Sequence, residues 1–207
     1  KIMYICTKNV EMHPVSENKR NKLKLAGKEL FWKYGIRRVS VEEICSAAGV
    51  SRMTFYKYFP NKTQLAISIL EDIFQHSLME YRNVMDSKGS FDSKIGAIIK
   101  LKITFSKDLS TEFLQELYAS GNEELIRFVR KWTEKTMEMV RLDFEEARKK
   151  GEIRHNIQTD ILLYLVNHLT ALVSDEKFAA FYQHPSEMIK DLTEYFFYGI
   201  MPRQKHR

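Results

Sequence analysis

Apolar residues recur along this chain at spacings of three and four rather than two, and that rhythm predicts helices throughout. Leu23, Ala26, Leu30, Phe31 and Tyr34 share one stripe of a first helix running roughly from Ser16 to Tyr34, which Gly35 ends. Three starts follow in quick succession. Ser40 can cap a helix with Glu43 completing a capping box and Val39 stapling onto Ile44, and that helix ends at Ala48-Gly49. Ser51 caps the next, with Val50 set to staple onto Phe55. Asn61 caps the third, with Gln64 as reciprocal partner and Leu65 as its first buried residue. Two short helices around a tight glycine turn, then a third, make a helix-turn-helix.

From Lys62 the period continues through Leu65, Ile69, Ile73 and Ser77 to about Asp86, a helix of roughly 38 Å at 1.5 Å per residue. The run 87–90 breaks it. Helices are expected at about 91–108, 111–119, 122–150, 159–182 and 185–200, with Pro185 well placed in a first helical turn. The fold class is therefore all-α, about nine helices. The expected divisions are a tag-like or loosely ordered segment 1–15, a helix-turn-helix domain 16–62, a linking helix 63–87, a helical domain 88–202 and a tail 203–207.

The last two helices are apolar on two sides. In 159–182, Ile161, Leu165, His168, Leu169 and Leu172 form one stripe, and Leu162, Val166 and Val173 form another. In 185–200, Leu192, Tyr195, Phe196 and Gly199 form one stripe beside Ile189, Phe197 and Ile200. A helix with two apolar faces needs two covers. The domain core supplies one, and either a second chain or burial within the monomer supplies the other.

Charge sharpens the picture because of where it lies. Residues 1–65 carry 13 Lys/Arg against 5 Asp/Glu, whereas the remaining 142 carry 20 against 22. A basic head on a nearly neutral body suits an anionic partner. The apolar run Ile161–Val173 is interrupted by Asn167, His168 and Thr170 and falls short of a membrane span. Cys6 and Cys45 form no metal or redox spacing, so a reducing cytoplasm is the expected setting. The six histidines show no metal spacing, and no phosphate loop, nucleophile elbow or dinucleotide fingerprint occurs. No cofactor or metal is expected, and the pairs Glu42-Glu43, Glu123-Glu124 and Glu145-Glu146 point apart on their helices. An enzyme is not the reading.

The run from Val39 to Lys62, VSVEEICSAAGVSRMTFYKYFPNK, resembles the DNA-binding signature of the TetR family of transcriptional regulators, and Ala26, Leu30, Phe31 and Gly35 match as well. The resemblance covers about residues 18–66. Its specificity lies in Ala48-Gly49-Val50-Ser51 and Tyr56-x-Tyr58-Phe59-x-x-Lys62 recurring in order. Cys45 replaces the usual alanine, and Met53 stands where glycine, proline or alanine is common, on the surface facing DNA.

The residues fit that reading on chemical grounds. Arg52, Met53 and Thr54 follow the Ser51 cap, at the end of a helix that enters a major groove. Arg52 can hold a guanine through O6 and N7 or bind a phosphate; Met53 and the Thr54 methyl suit a thymine methyl. Tyr56, Lys57 and Tyr58 offer hydroxyls and charge to the backbone, although either tyrosine could instead pack. Lys62 and Ser40, at helix starts, are further phosphate candidates. Glu42 lies near the groove in the family pattern and reads as a first-turn stabiliser.

For the second half, the resemblance implies dimerisation through the last two helices and an enclosed ligand pocket. Dimer candidates are Leu165, Leu169, Leu172, Leu192, Tyr195 and Phe196. Pocket candidates are Phe105, Phe113, Leu117, Phe128, Trp132, Tyr164 and His168, with Tyr118 and Met137, most of which will be ordinary core. The expected function is a homodimeric repressor on a pseudo-palindromic double-stranded operator, released by a small apolar or aromatic effector. The alternative is an architectural or protein-partnered DNA-binding protein of the same fold.

Overall fold

The computed structural model describes residues 19–106, 108–118, 122–173 and 175–201. The expected segment 1–15, the helix start at Ser16 and the tail 203–207 lie outside the described residues. Among the described residues there are ten helices and no strand: α1 Lys19–Tyr34, α2 Val41–Ala48, α3 Arg52–Tyr58, α4 Lys62–Asp86, α5 Phe91–Ser106, α6 Thr111–Tyr118, α7 Glu123–Lys149, α8 Thr159–Val173, α9 Glu176–Ala179 and α10 Pro185–Ile200.

The start signals act as their chemistry demands. Ser40 Oγ accepts the Glu43 N–H at 3.2 Å, while Glu43 Oε2 accepts the Ser40 N–H at 2.7 Å, closing the capping box of α2. Ser51 Oγ accepts the Thr54 N–H, and Asn61 Oδ1 accepts the Gln64 N–H. Gly49, at φ +63°, turns the chain between α2 and α3 in the left-handed region, where a side chain is strained. Leu23, Phe31, Ile44, Phe55 and Leu65 are fully buried and join α1 to α4 in one small core. Gln64 differs from expectation: its amide turns away from Asn61 and donates to Glu124 on α7.

One expected helix, 159–182, is two. Asp175 stops α8 and caps α9, its carboxylate accepting the Phe178 N–H at 2.9 Å. A short acid is a better cap than a mid-helix residue, and this competition overrides the continuing apolar pattern. The fifth helix also ends at Ser106, earlier than expected.

Helix α4 joins the two halves. Near its middle Lys24 of α1, buried, pairs with Asp72. Near its end Arg82 donates to both carboxylate oxygens of Asp143 on α7 at 3.1–3.2 Å, and the Tyr81 hydroxyl donates to the same carboxylate at 2.7 Å. In the larger half α10 lies along α5. Phe144 sits 6.2 Å from the rings of both Phe196 and Phe197.

Candidate nucleic-acid interface

The N-terminal half of α3 projects from its domain. Met53 is 85% exposed and the Arg52 side chain 61%, whereas Phe55 beneath them is fully buried. One fully buried apolar anchor thus holds a seven-residue helix on which Arg52, Met53, Tyr56 and Lys57 are exposed. Lys57 is exposed, and Tyr56 is half exposed with its ring edge-on to Phe55 at 5.3 Å. Tyr58 is partly buried against the core, so of the two tyrosines it is the one that packs.

The hydroxyls are committed. Ser51 Oγ lies 3.0 Å from Thr54 Oγ1, and Ser40 Oγ donates to Glu43 Oε2 at 2.8 Å. Those contacts hold helix starts, so Ser40 and Ser51 shape the surface more than they reach from it. Hydrogen bonds from Ser40, backbone first, hold the Glu43 carboxyl below the usual glutamate range.

Lys62 departs from expectation. Its ammonium donates to the carbonyls of Arg37 and Val39, each at 2.7 Å. The side chain folds back to satisfy the loop before α2 instead of pointing at solvent. Burial lowers its pKa, against the raising influence of Glu116 and Glu43.

The basic residues around the face extend beyond those singled out from the motif. Arg20 stacks over Phe59 at 5.4 Å, beside the C-terminal end of α3, and donates to Ser68. Arg38 lies over Tyr34 at 4.5 Å, two residues before the Ser40 cap. The excess of Lys and Arg before residue 65 was the sequence signal for them.

A second set of contacts ties this head to the rest. Glu116 of α6 accepts the Arg37 N–H at 2.8 Å, and the Ser110 N–H donates to the Trp32 carbonyl at 3.0 Å. Phe113 lays its ring 4.3 Å from Trp32. Asn122 Nδ2 donates to Thr63 Oγ1 at 3.0 Å. Helix α6 and the start of α7 thus both grip the N-terminal half.

That placement corrects the expected pocket. Phe113 and Leu117 are fully buried in the seam between α6 and α1, filled by Trp32. Tyr164 and His168 are exposed on the outer face of α8, their rings 4.0 Å apart, because Leu162 and Val173 take the inward face of that helix. Phe128 and Trp132 are half-buried and meet Phe74 of α4 at 5.9 and 5.8 Å. The side chain of Phe105 lies outside the described residues. A polar cleft of about 280 Å³ opens at the far end of α4, lined by Arg82, Lys94, Asp143, Glu146 and Glu152 among others. Its groups answer one another: Lys94 donates to the Met85 carbonyl, and Glu152 accepts the Phe91 N–H. Among the described residues, no group of three or more His, Cys, Asp or Glu could hold a metal ion.

The dimer candidates also divide. Leu192 and Phe196 are buried within the protomer, Phe196 against Phe144 and Phe197, so they belong to the core. Leu165 and Tyr195 are exposed, joined by Ile161 and Tyr164 on α8 and by Tyr198 on α10. Leu169 and Leu172 are half-buried. Among the described residues, no helix is long and apolar enough to cross a membrane.

Residues 25–69 match the family of bacterial regulatory proteins, tetR family. The nucleoid occlusion factor SlmA of Actinobacillus pleuropneumoniae serotype 5b (strain L20) is 35% identical over 74 residues, covering 35% of this chain and 36% of its own length. The HTH-type transcriptional regulator EthR of Mycolicibacterium smegmatis is 33% identical over 49 residues, 24% and 23% of the two chains. The match therefore spans about a third or less of those relatives. Solved structures extend the likeness in fold to nearly the whole chain. E. coli NemR in its reduced form has a TM-score of 0.71 at 16% identity, covering 90% of this chain and 98% of that one. FadR from Bacillus subtilis, in complex with stearoyl-CoA, has a TM-score of 0.68 at 18% identity, covering 87% and 98%.

Proposed function

We propose that the chain is a regulator of the tetR family, which its residues 25–69 match, and that it acts as a homodimeric, sequence-specific repressor released from its operator by a small apolar or aromatic effector. The observation that carries the DNA-reading half is the first turn of α3. Met53 and Arg52 stand out from a domain whose helix starts are capped and whose anchor, Phe55, is fully buried. A rigid base under a projecting turn is what major-groove readout requires. Arg52, Met53, Thr54, Tyr56 and Lys57 are the proposed contacts, with Ser40, Ser51, Tyr58 and Lys62 holding them in place. Residues up to 62 form the DNA-reading domain in this reading, 63–87 the link, and the remainder the regulatory half.

The dimer rests on the exposed faces of α8 and α10, where Ile161, Tyr164, Leu165, Tyr195 and Tyr198 present apolar and aromatic surface to solvent. A two-fold pair of such faces is self-complementary, and it sets two α3 helices about 34 Å apart on a pseudo-palindrome.

The effector half rests on the aromatic group Phe74, Phe128 and Trp132 between α4 and α7. Two of its members are half-buried, and Phe74 belongs to the helix that carries the DNA-reading domain. A flat or acyl ligand wedged there displaces α4 relative to α6 and strains the grips at Arg37 and Thr63. One solved structure of this fold holds stearoyl-CoA, in keeping with an apolar effector. An effector releases DNA only through unequal affinity for the two arrangements.

The test is selection of bound duplexes from a random pool by the purified chain at fixed salt. A two-fold symmetric motif is expected, and titration with acyl-CoA and aromatic compounds should then weaken binding to it. Enrichment of nothing, with salt-sensitive general binding only, would favour the architectural reading, toward which the matches to nucleoid occlusion factors point. No binding at all would overturn both.

A further inference from the structure

The DNA-facing surface contains one acid that a phosphate-binding surface does not need. Glu42, in the first turn of α2, places Oε1 2.7 Å from Arg52 Nη1 across the α2–α3 turn, and both side chains are more than half exposed. Tyr56, one turn further along α3, and the Glu42 charge both raise the Arg52 pKa and so favour its charged form. The place of Glu42 in the first turn of α2 favours that helix start through the dipole, but this does not account for its contact with Arg52. The capping box of α2 is already completed by Glu43, and a solvated ion pair adds little to folding.

The pair instead matters for what Arg52 can do. An arginine that meets phosphate gains nothing from a carboxylate beside it, since that carboxylate repels the backbone. An arginine that reads guanine must present two N–H groups in the plane of the base, and a guanidinium with five donors can hold Glu42 while still offering that edge. Holding it beforehand also removes side-chain freedom that binding would otherwise remove. We propose that Glu42 is a positioning residue which sets the plane of the Arg52 guanidinium so that it reads one guanine in each half-site. This rests on the operator-reading proposal above. A second effect follows from the same charge: Glu42 weakens attachment to unrelated DNA, so specificity rises from both sides.

The experiment uses the full chain, the selected duplex, a set of duplexes each changed at one base pair, and one unrelated duplex, all at fixed salt. Arg52→Ala is expected to lose preference at one symmetric position. Glu42→Gln should lose the same preference about tenfold, a typical effect for a bidentate arginine–guanine contact. It should also bind the unrelated duplex more tightly. The double variant should lose nothing further at that position, because both changes remove one interaction. Thermal melting of Glu42→Gln close to that of the parent excludes loss of fold as the cause. The proposal is overturned if Glu42→Gln keeps the full preference that Arg52→Ala abolishes. It is equally overturned if Arg52→Ala weakens every duplex alike with a salt slope shallower by about one. A parent chain with no base preference would sink the operator reading itself, an outcome visible before any variant is made.

Discussion

Two residues near the start of α2 show how much of the DNA-facing surface is scaffolding. Glu43 accepts both the N–H and the hydroxyl of Ser40, and its carboxyl is held below the ordinary glutamate range by the backbone bond first and the side-chain bond second. A carboxylate whose folded pKa is depressed contributes stability that is present above its unfolded value and is lost as pH falls through the folded one. The acid unfolding curves of the parent and Glu43→Gln should therefore stand apart near neutrality and converge on acidification. Curves that stay parallel would mean that the box adds nothing. Lys62 is the other case. Truncating it leaves the carbonyls of Arg37 and Val39 without their donor, which, for an exposed and a part-buried bond, should cost roughly 0.5–1.5 kcal/mol. For a chain of this length each kcal/mol lowers Tm by about 2–4 °C. Lys62→Ala should therefore lower Tm while leaving the salt slope of DNA binding unchanged. A slope shallower by about one with Tm intact would restore Lys62 as a phosphate contact.

At the scale of elements, what was legible followed from how local the cause was. The caps at Ser40, Ser51 and Asn61 and the turn at Gly49 are set by residues within four positions of one another, and all stand where their pattern places them. Asp175 was also local, but its capping competed with a continuing apolar run, and the pattern hid it. The faces of α8 and α10 were legible as apolar on two sides, not as to which side turns inward. That choice depends on α5 and α7, far away in sequence, and it put Leu192 and Phe196 in the core and Tyr164 and His168 outside. The grip of α6 on the loop after α1 had no sequence signal at all, since a lone Glu116 looks like any solvated acid. Its strength can be measured through Gly35, at φ +79°, where an added Cβ would meet Glu116 Oε1 at 2.7 Å. Gly35→Ala carries left-handed strain of about 1–2 kcal/mol and also displaces the carboxylate from Arg37. Glu116→Ala removes the carboxylate without that strain. Both should speed amide exchange at residues 36–39 and weaken any effector's influence on DNA affinity, with Gly35→Ala the larger in Tm. Unchanged exchange in Glu116→Ala would mean that the Ser110–Trp32 backbone bond and Trp32 against Phe113 hold the seam without it.

The whole molecule is a basic head carried on a long helix, with an apolar face left on the outside of its larger half. Ile161, Tyr164 and Leu165 on α8 and Tyr195 and Tyr198 on α10 are large exposed side chains on two helices that pack against each other. A single α3 of seven residues meets only a few base pairs, so operator affinity in the proposed dimer comes from two half-sites bound together. Leu165→Arg tests that linkage at one point. Its side chain is nearly half exposed in the protomer, so the charge is tolerated by the isolated fold but is buried unpaired in a paired face. The variant should sediment as a monomer at micromolar concentration with Tm lowered only by loss of the partner. Its affinity for the full operator should fall about a hundredfold or more, within the range that linked sites add, while its weak binding to a single half-site stays as in the parent. A variant that remains dimeric would move the interface to another surface. A monomeric variant with undiminished operator affinity would show that one head suffices to read the site.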